Sequence, residues 1–362
     1  MNIYSEIEKD QPYDGIPDFI LCPGPMRKAY AVKIRKHKKR TERLIKKTAR
    51  SNTSKQLKNN IRRVFDSYAV RFTFSIKVAR DRVELMSVPG LGPVTPKKLD
   101  AVAMQTADPS KLDEPISVYP KMKSDNGFRI ISVAGFKRRV LQEIVAEILE
   151  SLNCGYKRDF ANGGGGREAA THQIINLIEK EKSDFVLVGD YSNFFGSIEH
   201  SYIRELLKEF PDAVISHVIL NTKAPLSVSG ISKLSINTAA FKKMARLGIP
   251  QGSPASPRIA SALLRVIFEG IAPEENIVVY RDDFVICAST LAEANEIKQA
   301  LLSKLSSHKA GSFELKKEEV SSVSDKFDFL NYRFRFYWWS SKPRKVFVSP
   351  NTTAFNLSLI HI

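Results

Sequence analysis

Apolar residues recur along this chain at two periods, and their alternation organises it. In "KQLKNNIRRVFDSYAV", Leu57, Ile61, Val64, Phe65 and Tyr68 share one face at helical spacing, and the whole of 27–70 reads as helix. "RRVLQEIVAEILESL" is a second helix, with Val140, Ile144, Ala146 or Ile148, and Leu149 turned inward. Two more helices are expected, in "ASPRIASALLRVIFEGI" at 255–271 and in the capped, amphipathic "TLAEANEIKQALLSKLSSH". Between them lie strands. "PISVYPKMKSDNGFRIISV" reads as a hairpin turning at Asp125-Asn126-Gly127, and "DFVLVGDY" as a buried strand ending in an aspartate. "NIVVYRDDFVICA" is a second hairpin, and "KFDFLNYRFRFYWW" and "KVFVSP" are later strands. Residues 1–26 are Pro-rich and irregular. Hairpins segregated from helices, without regular βαβ repeats, predict an α+β fold.

Composition adds a broad class and one sharp asymmetry. A chain of 362 residues can bury a sizeable core in two or three subdomains. No apolar run reaches the roughly 20 residues that span a bilayer, and the first residues lack a signal-peptide core, so no membrane partner is expected. Cys22, Cys154 and Cys287 form no C-x-x-C pair, which argues against a structural zinc or a disulfide framework and for a reducing, cytoplasmic setting. The net charge is +17, and between Arg27 and Arg63 stand 16 Lys/Arg against a single acid, Glu42. Such density is expected to bind nucleic-acid phosphates, with Arg35, Lys36, Lys38, Lys39 and Arg40 as contacts. The plainer alternative is a solvated basic tail.

"VELMSVPGLGPVTPKKLDAVA" resembles the helix-hairpin-helix module, placed at 79–103, with Leu99 and Val102 as apolar positions of its second helix. The resemblance implies backbone contacts from Gly90 and Gly92 to a phosphate. Pro96 departs from the module's pattern, and a simple Gly/Pro turn between helices explains the stretch nearly as well. The last six residues, 357–362, spell the translation of a transposase adapter used in sequencing libraries. They are expected to be an artefact, the natural chain continuing beyond Asn356.

The chemistry concentrates in three carboxylates. The strand "VLVGDY" delivers Asp190 at its end, and "YRDD" delivers Asp282 and Asp283 at a hairpin bend. A lone Asp at a strand end is ordinarily a helix cap. Acids inside apolar β-runs need compensation, and hard divalent cations with oxygen ligands supply it. Two such ions roughly 4 Å apart can clamp the attacking and leaving oxygens of a phosphoryl transfer.

The order of blocks over about 115–349 resembles the reverse transcriptases, most closely the prokaryotic group II intron and retron-type lineage. "YPKMKSDNGFRII" is similar to the first fingers hairpin, and "RIISVAGFKRRVLQEIV" matches the second block without gaps, placing Arg129, Arg139 and Gln142 on its Arg, Arg and Gln. "DFANGGGGREAATHQI" resembles the segment with Phe, Gly, Arg and a following helix, and "DYSNFFGSIEH" the first metal-binding block. "GIPQGSPASP", "YRDD" and "FLNYRF" complete the set, the last as the primer-grip hairpin with Leu330 and Asn331. The resemblance implies a right-hand polymerase fold with an antiparallel palm sheet. It also implies a nucleotidyltransferase, an RNA-directed DNA polymerase adding dNTPs to a DNA or RNA primer on an RNA template. Asp190, Asp282, Asp283 and the carbonyl of Tyr191 would hold two Mg²⁺, with Mn²⁺ as substitute. Lys121 and Arg129 would bind the triphosphate, Gln251 and Gly252 line the nucleotide pocket, and Arg139 contact nucleic acid.

Phe195, five residues after Asp190, would collide with a ribose 2′-OH, where RNA-dependent RNA polymerases place a second Asp. Phe194 beside it reads as core. The implied division is a basic helical extension at 1–114, fingers at 115–189, palm at 190–349 and the start of a thumb at 350–356. Departures from the family are Ala134 for Pro, Asn331 for Gly, and Glu319 for a Lys that Lys316 or Lys317 could replace. Arg281 fills a slot usually small or apolar; pairing with the acids, primer contact and specialisation all remain open for it. The rivals are an RNA-binding maturase-like or phage-defence protein on the same fold, with a cognate noncoding RNA as partner, and an untemplated or RNA-copying polymerase.

Overall fold

A computed structural model describes residues 16–84, 93–123, 127–163, 165–232, 234–337 and 345–351. The helix-hairpin-helix glycines Gly90 and Gly92, the turn residues Asp125 and Asn126, and the tail from 352 lie outside the described residues. The chain divides into two compact units, residues 1–154 with 200–258 and residues 155–199 with 259–362. These units cross the boundaries expected at 114/115 and 189/190.

The first unit opens with helices. The basic segment is not one helix over 27–70 but α1 (Gly24–Ala49), α2 (Ser54–Asp66) and the start of α3 (Tyr68–Glu84). Thr53 stops and restarts the chain, its hydroxyl accepting the Gln56 N–H at 3.2 Å as the N-cap of α2. One stripe of α1 is buried, including Tyr30, Ile34, Lys38, Thr41 and Ile45, so this is a packed helix with one charged face. α4 (Pro96–Gln105) follows, capped by Thr95, and Pro96 occupies its first turn, where a missing N–H costs nothing. Leu99 and Val102 are buried, as their spacing predicts.

Strands β1 (Ile116–Met122), β2 (Phe128–Val133) and β4 (Leu226–Val228) form a sheet in the order β2-β1-β4; β3 belongs to the second unit. α5 (Phe136–Ser151) buries Val140, Ile144, Ile148 and Leu149. Arg138 on this helix is fully buried, and its guanidinium donates to the backbone carbonyls of His217, Leu112 and Glu114. Carbonyl dipoles thus neutralise part of a charge that would otherwise be costly inside.

The second unit holds a four-stranded antiparallel sheet in the order β5-β6-β3-β7. Its strands are β3 (Phe185–Ser192), β5 (Ile277–Tyr280), β6 (Asp283–Ala288) and β7 (Glu314–Ser322). Residues Val186 to Gly189 are buried in succession, as in a strand covered on both faces. β8 (Phe327–Phe329), β9 (Tyr332–Tyr337) and β10 (Lys345–Pro350) make a second sheet. Leu330 and Asn331 form the two-residue β8–β9 loop with φ of 52° and 68°, the signature of a type I′ turn. Asn tolerates that conformation, which explains how it can stand in place of Gly. α6 (Gly166–Glu179) and α11 (Leu291–Ser306) also belong to this unit; α8 (His200–Leu206), α9 (Thr238–Met244) and α10 (Ala255–Phe268) precede α11 along the chain. Thr290 caps α11, and Glu293 returns a hydrogen bond to the Ser289 N–H at 2.8 Å.

Candidate active site

The sheet of the second unit brings the predicted acids into register. Asp190 on β3 stands directly opposite Asp283 on β6, and opposite Lys317 on β7. Cross-strand partners project to one face with Cβ atoms about 5 Å apart. The turn between β5 and β6 is only Arg281-Asp282, and the Asp282 carbonyl accepts the Tyr191 N–H at 3.1 Å. The β3–β7 pairing slips between Asp190 and Tyr191, a bulge that re-aims the strand end. Gly189 makes room for this: the Phe284 ring sits where its Cβ would be. Phe284 in turn joins an aromatic cluster with Tyr191 at 5.6 Å and Phe268 at 5.3 Å between ring centroids.

The electrostatics of the row are unbalanced. Burial first, then Asp282 and Asp190, push the Asp283 carboxyl up to about 7, while Lys317 and Arg167 oppose the shift. A site whose central acid keeps a proton near neutrality is short of positive charge. Hard oxygen donors whose mutual repulsion outweighs the opposing Lys317 and Arg167 suit a divalent cation such as Mg²⁺. Among the described residues no three acidic, His or Cys side chains close into a cage. Mg²⁺ characteristically takes one or two carboxylates and completes its shell with water and substrate phosphate, so an open row fits it better than a cage would.

Phe194 is buried against Tyr191 and Phe313, as expected of a core residue. Phe195 is half-buried and meets Phe194 edge-on at 6.1 Å. Both ride on α7 (Phe194–Ser197), entered through Asn193 at φ 52°.

The remaining predicted residues belong to the first unit. Lys121 and Arg129 are partners across β1–β2 and are exposed. Gln251 is fastened to the same hairpin, its carbonyl accepting the Ser132 N–H at 2.7 Å. Gly252 has φ 118°, and a Cβ there would collide with the Ser132 carbonyl, so no other residue fits. Arg139 donates to the Gly252 carbonyl at 2.8 Å and pairs with Glu143 at 3.2 Å, which makes it a brace for that loop. On α1, Arg35, Lys36, Lys39 and Arg40 are exposed, whereas Lys38 is buried. Helical period puts residue 38 with Ile34, Thr41 and Ile45, so its expected place on the nucleic-acid face is corrected. Lys39, Arg43, Lys46, Lys47 and Arg50 line a cleft that also includes Glu42 and Gln56 from α2.

The sequence matches the family model described as reverse transcriptase (RNA-dependent DNA polymerase) over residues 120–334. That match spans more than half the chain and contains the whole carboxylate row. The chain belongs to the reverse transcriptase family. Three solved structures are similar in part. The telomerase from Candida albicans in complex with a fragment of telomeric RNA is 13% identical over 67% of this chain and 48% of its own, with a TM-score of 0.39. The truncated apo telomerase from Candida tropicalis is 14% identical over 66% and 56%, at 0.40. The RNA-dependent RNA polymerase of a human picobirnavirus is 16% identical over 61% and 44%, at 0.38. The chain thus spans roughly half the length of these proteins. No curated protein matches it by sequence.

Of three further residues that matter locally in this reverse transcriptase domain, Lys317 is one of the two lysines expected to replace Glu319, and the sequence gives Asp159 and Arg167 no role. Lys317, rather than Glu319, stands on the carboxylate row, and Glu319 is its ion-pair partner at 3.3 Å. Asp159 is buried, and Arg167 acts on Asp283. Arg167 is the Arg of the block that resembles the family's Phe, Gly, Arg segment, but neither it nor Asp159 could be given a task, because what they touch is far away along the chain.

Proposed function

We propose that this chain is an RNA-directed DNA polymerase that extends a DNA or RNA primer with dNTPs on an RNA template. The observation that carries the reading is the register of Asp190 against Asp283, with Asp282 in the adjoining turn, inside a reverse transcriptase domain. Asp190, Asp282, Asp283 and the Tyr191 carbonyl would hold two divalent ions. When bound, these ions neutralise phosphate charge and acidify the primer hydroxyl. The residues of the chain do the rest. The carboxylates accept the ions only when ionised, so the proton on Asp283 must leave first. Lys121 and Arg129 take the triphosphate oxygens, with the guanidinium fork giving directional bonds. Gln251 and Gly252 line the nucleotide pocket, held by the Arg139 brace. Phe195 blocks a ribose 2′-OH, and the Leu330-Asn331 turn rests against the primer. The exposed cations of α1 hold the RNA. The group II intron or retron lineage, a role in antiviral defence, a cognate noncoding RNA and a cytoplasmic setting belong to the same proposal; among the described residues no helix is long and apolar enough to cross a membrane.

Primer extension on poly(rA)/oligo(dT), with dTTP against UTP in Mg²⁺ or Mn²⁺, tests it. Incorporation of dTTP that Asp282→Ala abolishes is the expected result. No incorporation, with RNA affinity unchanged by Asp282→Ala, would replace the enzyme with an RNA-binding protein. Addition without template, or of UTP, would favour the other polymerase types.

A further inference from the structure

Arg281 is the residue of the catalytic turn that the proposed chemistry leaves without a task. It occupies the first position of a two-residue hairpin loop with φ 62°, a slot that glycine usually fills. A non-glycine residue held there carries a conformational cost, and such costs persist where the side chain is used. The turn is pinned from below. Asp159, 1% exposed, accepts the Arg281 N–H at 3.4 Å and also the Ala161 N–H and the Asn162 amide. Its own segment is laced to β5 by Phe160 N–H to Val279 O and Val279 N–H to Arg158 O, both 2.9 Å.

The side chain of Arg281 is exposed and does not neutralise the acids. Among the described residues it makes no ion pair, and the cations acting on Asp283 are Lys317 and Arg167. Its guanidinium lies instead against the Tyr280 ring, 5.8 Å from the centroid. Arg167, exposed at the start of α6, lies 5.9 Å from the centroid of the same ring. Two unpaired guanidinium groups thus share one aromatic ring beside the carboxylate row. Cation–π contact with the ring draws both groups to one place while leaving their N–H forks open.

We infer that Arg167 and Arg281, aligned by Tyr280, grip a phosphodiester near the 3′ end of the primer strand. A phosphate is the anion that planar forks match bidentately, and the position beside Asp282 and Asp283 is where a primer terminus must lie for its hydroxyl to react. The inference rests on the polymerase reading; binding measured without dNTP tests it separately from turnover.

The experiment measures primer–template affinity, in the absence of dNTP, for the wild-type chain, Arg281→Gly and Arg167→Ala. Each is run with an ordinary primer and with one whose 3′-terminal linkage is an uncharged methylphosphonate. Glycine suits φ 62°, so Arg281→Gly should melt no lower than wild type. Each variant should bind the ordinary primer several-fold to about tenfold more weakly, with the slope of log K against log salt reduced by about one. The methylphosphonate should weaken wild type to a similar extent and penalise each variant less, since each keeps only one of the two guanidinium groups. Arg281→Lys should recover part of the affinity. Equal methylphosphonate penalties in wild type and variants would overturn the inference. So would unchanged affinity with a raised KM for dNTP, which would assign the pair to the triphosphate instead. A chain that binds as expected but fails to extend the primer would sink the polymerase reading alone.

Discussion

Asp283 carries the clearest consequence of a single residue's surroundings. Its carboxyl is held near 7 by burial and two neighbouring acids, against about 3.9 in an unfolded chain. Between those values the folded state binds more protons than the unfolded one, so stability falls as pH rises from about 4 to about 7 and stays low above. Melting curves across that range should show the loss in metal-free protein; Mg²⁺ should restore stability above pH 7, and Asp283→Asn should abolish the pH-dependent part. A metal-free stability that instead rises from pH 5 to 7 would mean the acids are already compensated. Phe195 is a second residue-scale test. Phe195→Ala should raise UTP incorporation relative to dTTP at least tenfold with little change in melting temperature, read by single-nucleotide extension; an unchanged ratio removes the gate role.

At the scale of elements, β3 is the scaffold on which the row depends. Gly189 admits the Phe284 ring directly over the backbone one residue before Asp190. Gly189→Ala should cost about 1–3 kcal/mol in urea unfolding, as overpacking does, and depress extension more than the loss of folded protein accounts for, because the ring must move beside the bulge. A substitution tolerated at full stability would show that the ring has room to move. The period of apolar residues foretold β3, α5 and α11. It missed the break in the basic segment, because "SNTSKQ" interrupts the helix through a side-chain cap at Thr53 rather than through glycine or proline. Within α1, the buried stripe of Ile34, Thr41 and Ile45 takes Lys38 out of the charged face.

For the whole molecule, charge marks where the proposed RNA contact falls. Nearly all of the net +17 sits in 27–63, and its exposed part includes one face of α1, the cleft lined by α1 and Gln56, and Lys55, Lys58, Arg62 and Arg63 of α2. Replacing Lys39, Arg43, Lys46 and Arg50 with Gln should weaken RNA binding at least tenfold at 0.15 M salt and flatten its salt dependence by two or more units of slope. A steep remaining slope would move the contact elsewhere. The sequence by itself determined the α+β class and the family, and singled out the three acids as candidates. Those follow from local periodicity and from residue order, which survive in one dimension. Only the tertiary structure placed Lys317 rather than Glu319 on the row, put Asp159 under the turn and Arg167 across Tyr280, and engaged Arg139 with the Gly252 loop. These depend on register and on contacts between residues far apart in sequence, where a one-residue slip exchanges the faces of a strand. Arg281 is of that kind too: Tyr280 is its neighbour in sequence, but Asp159 and Arg167 lie more than a hundred positions away.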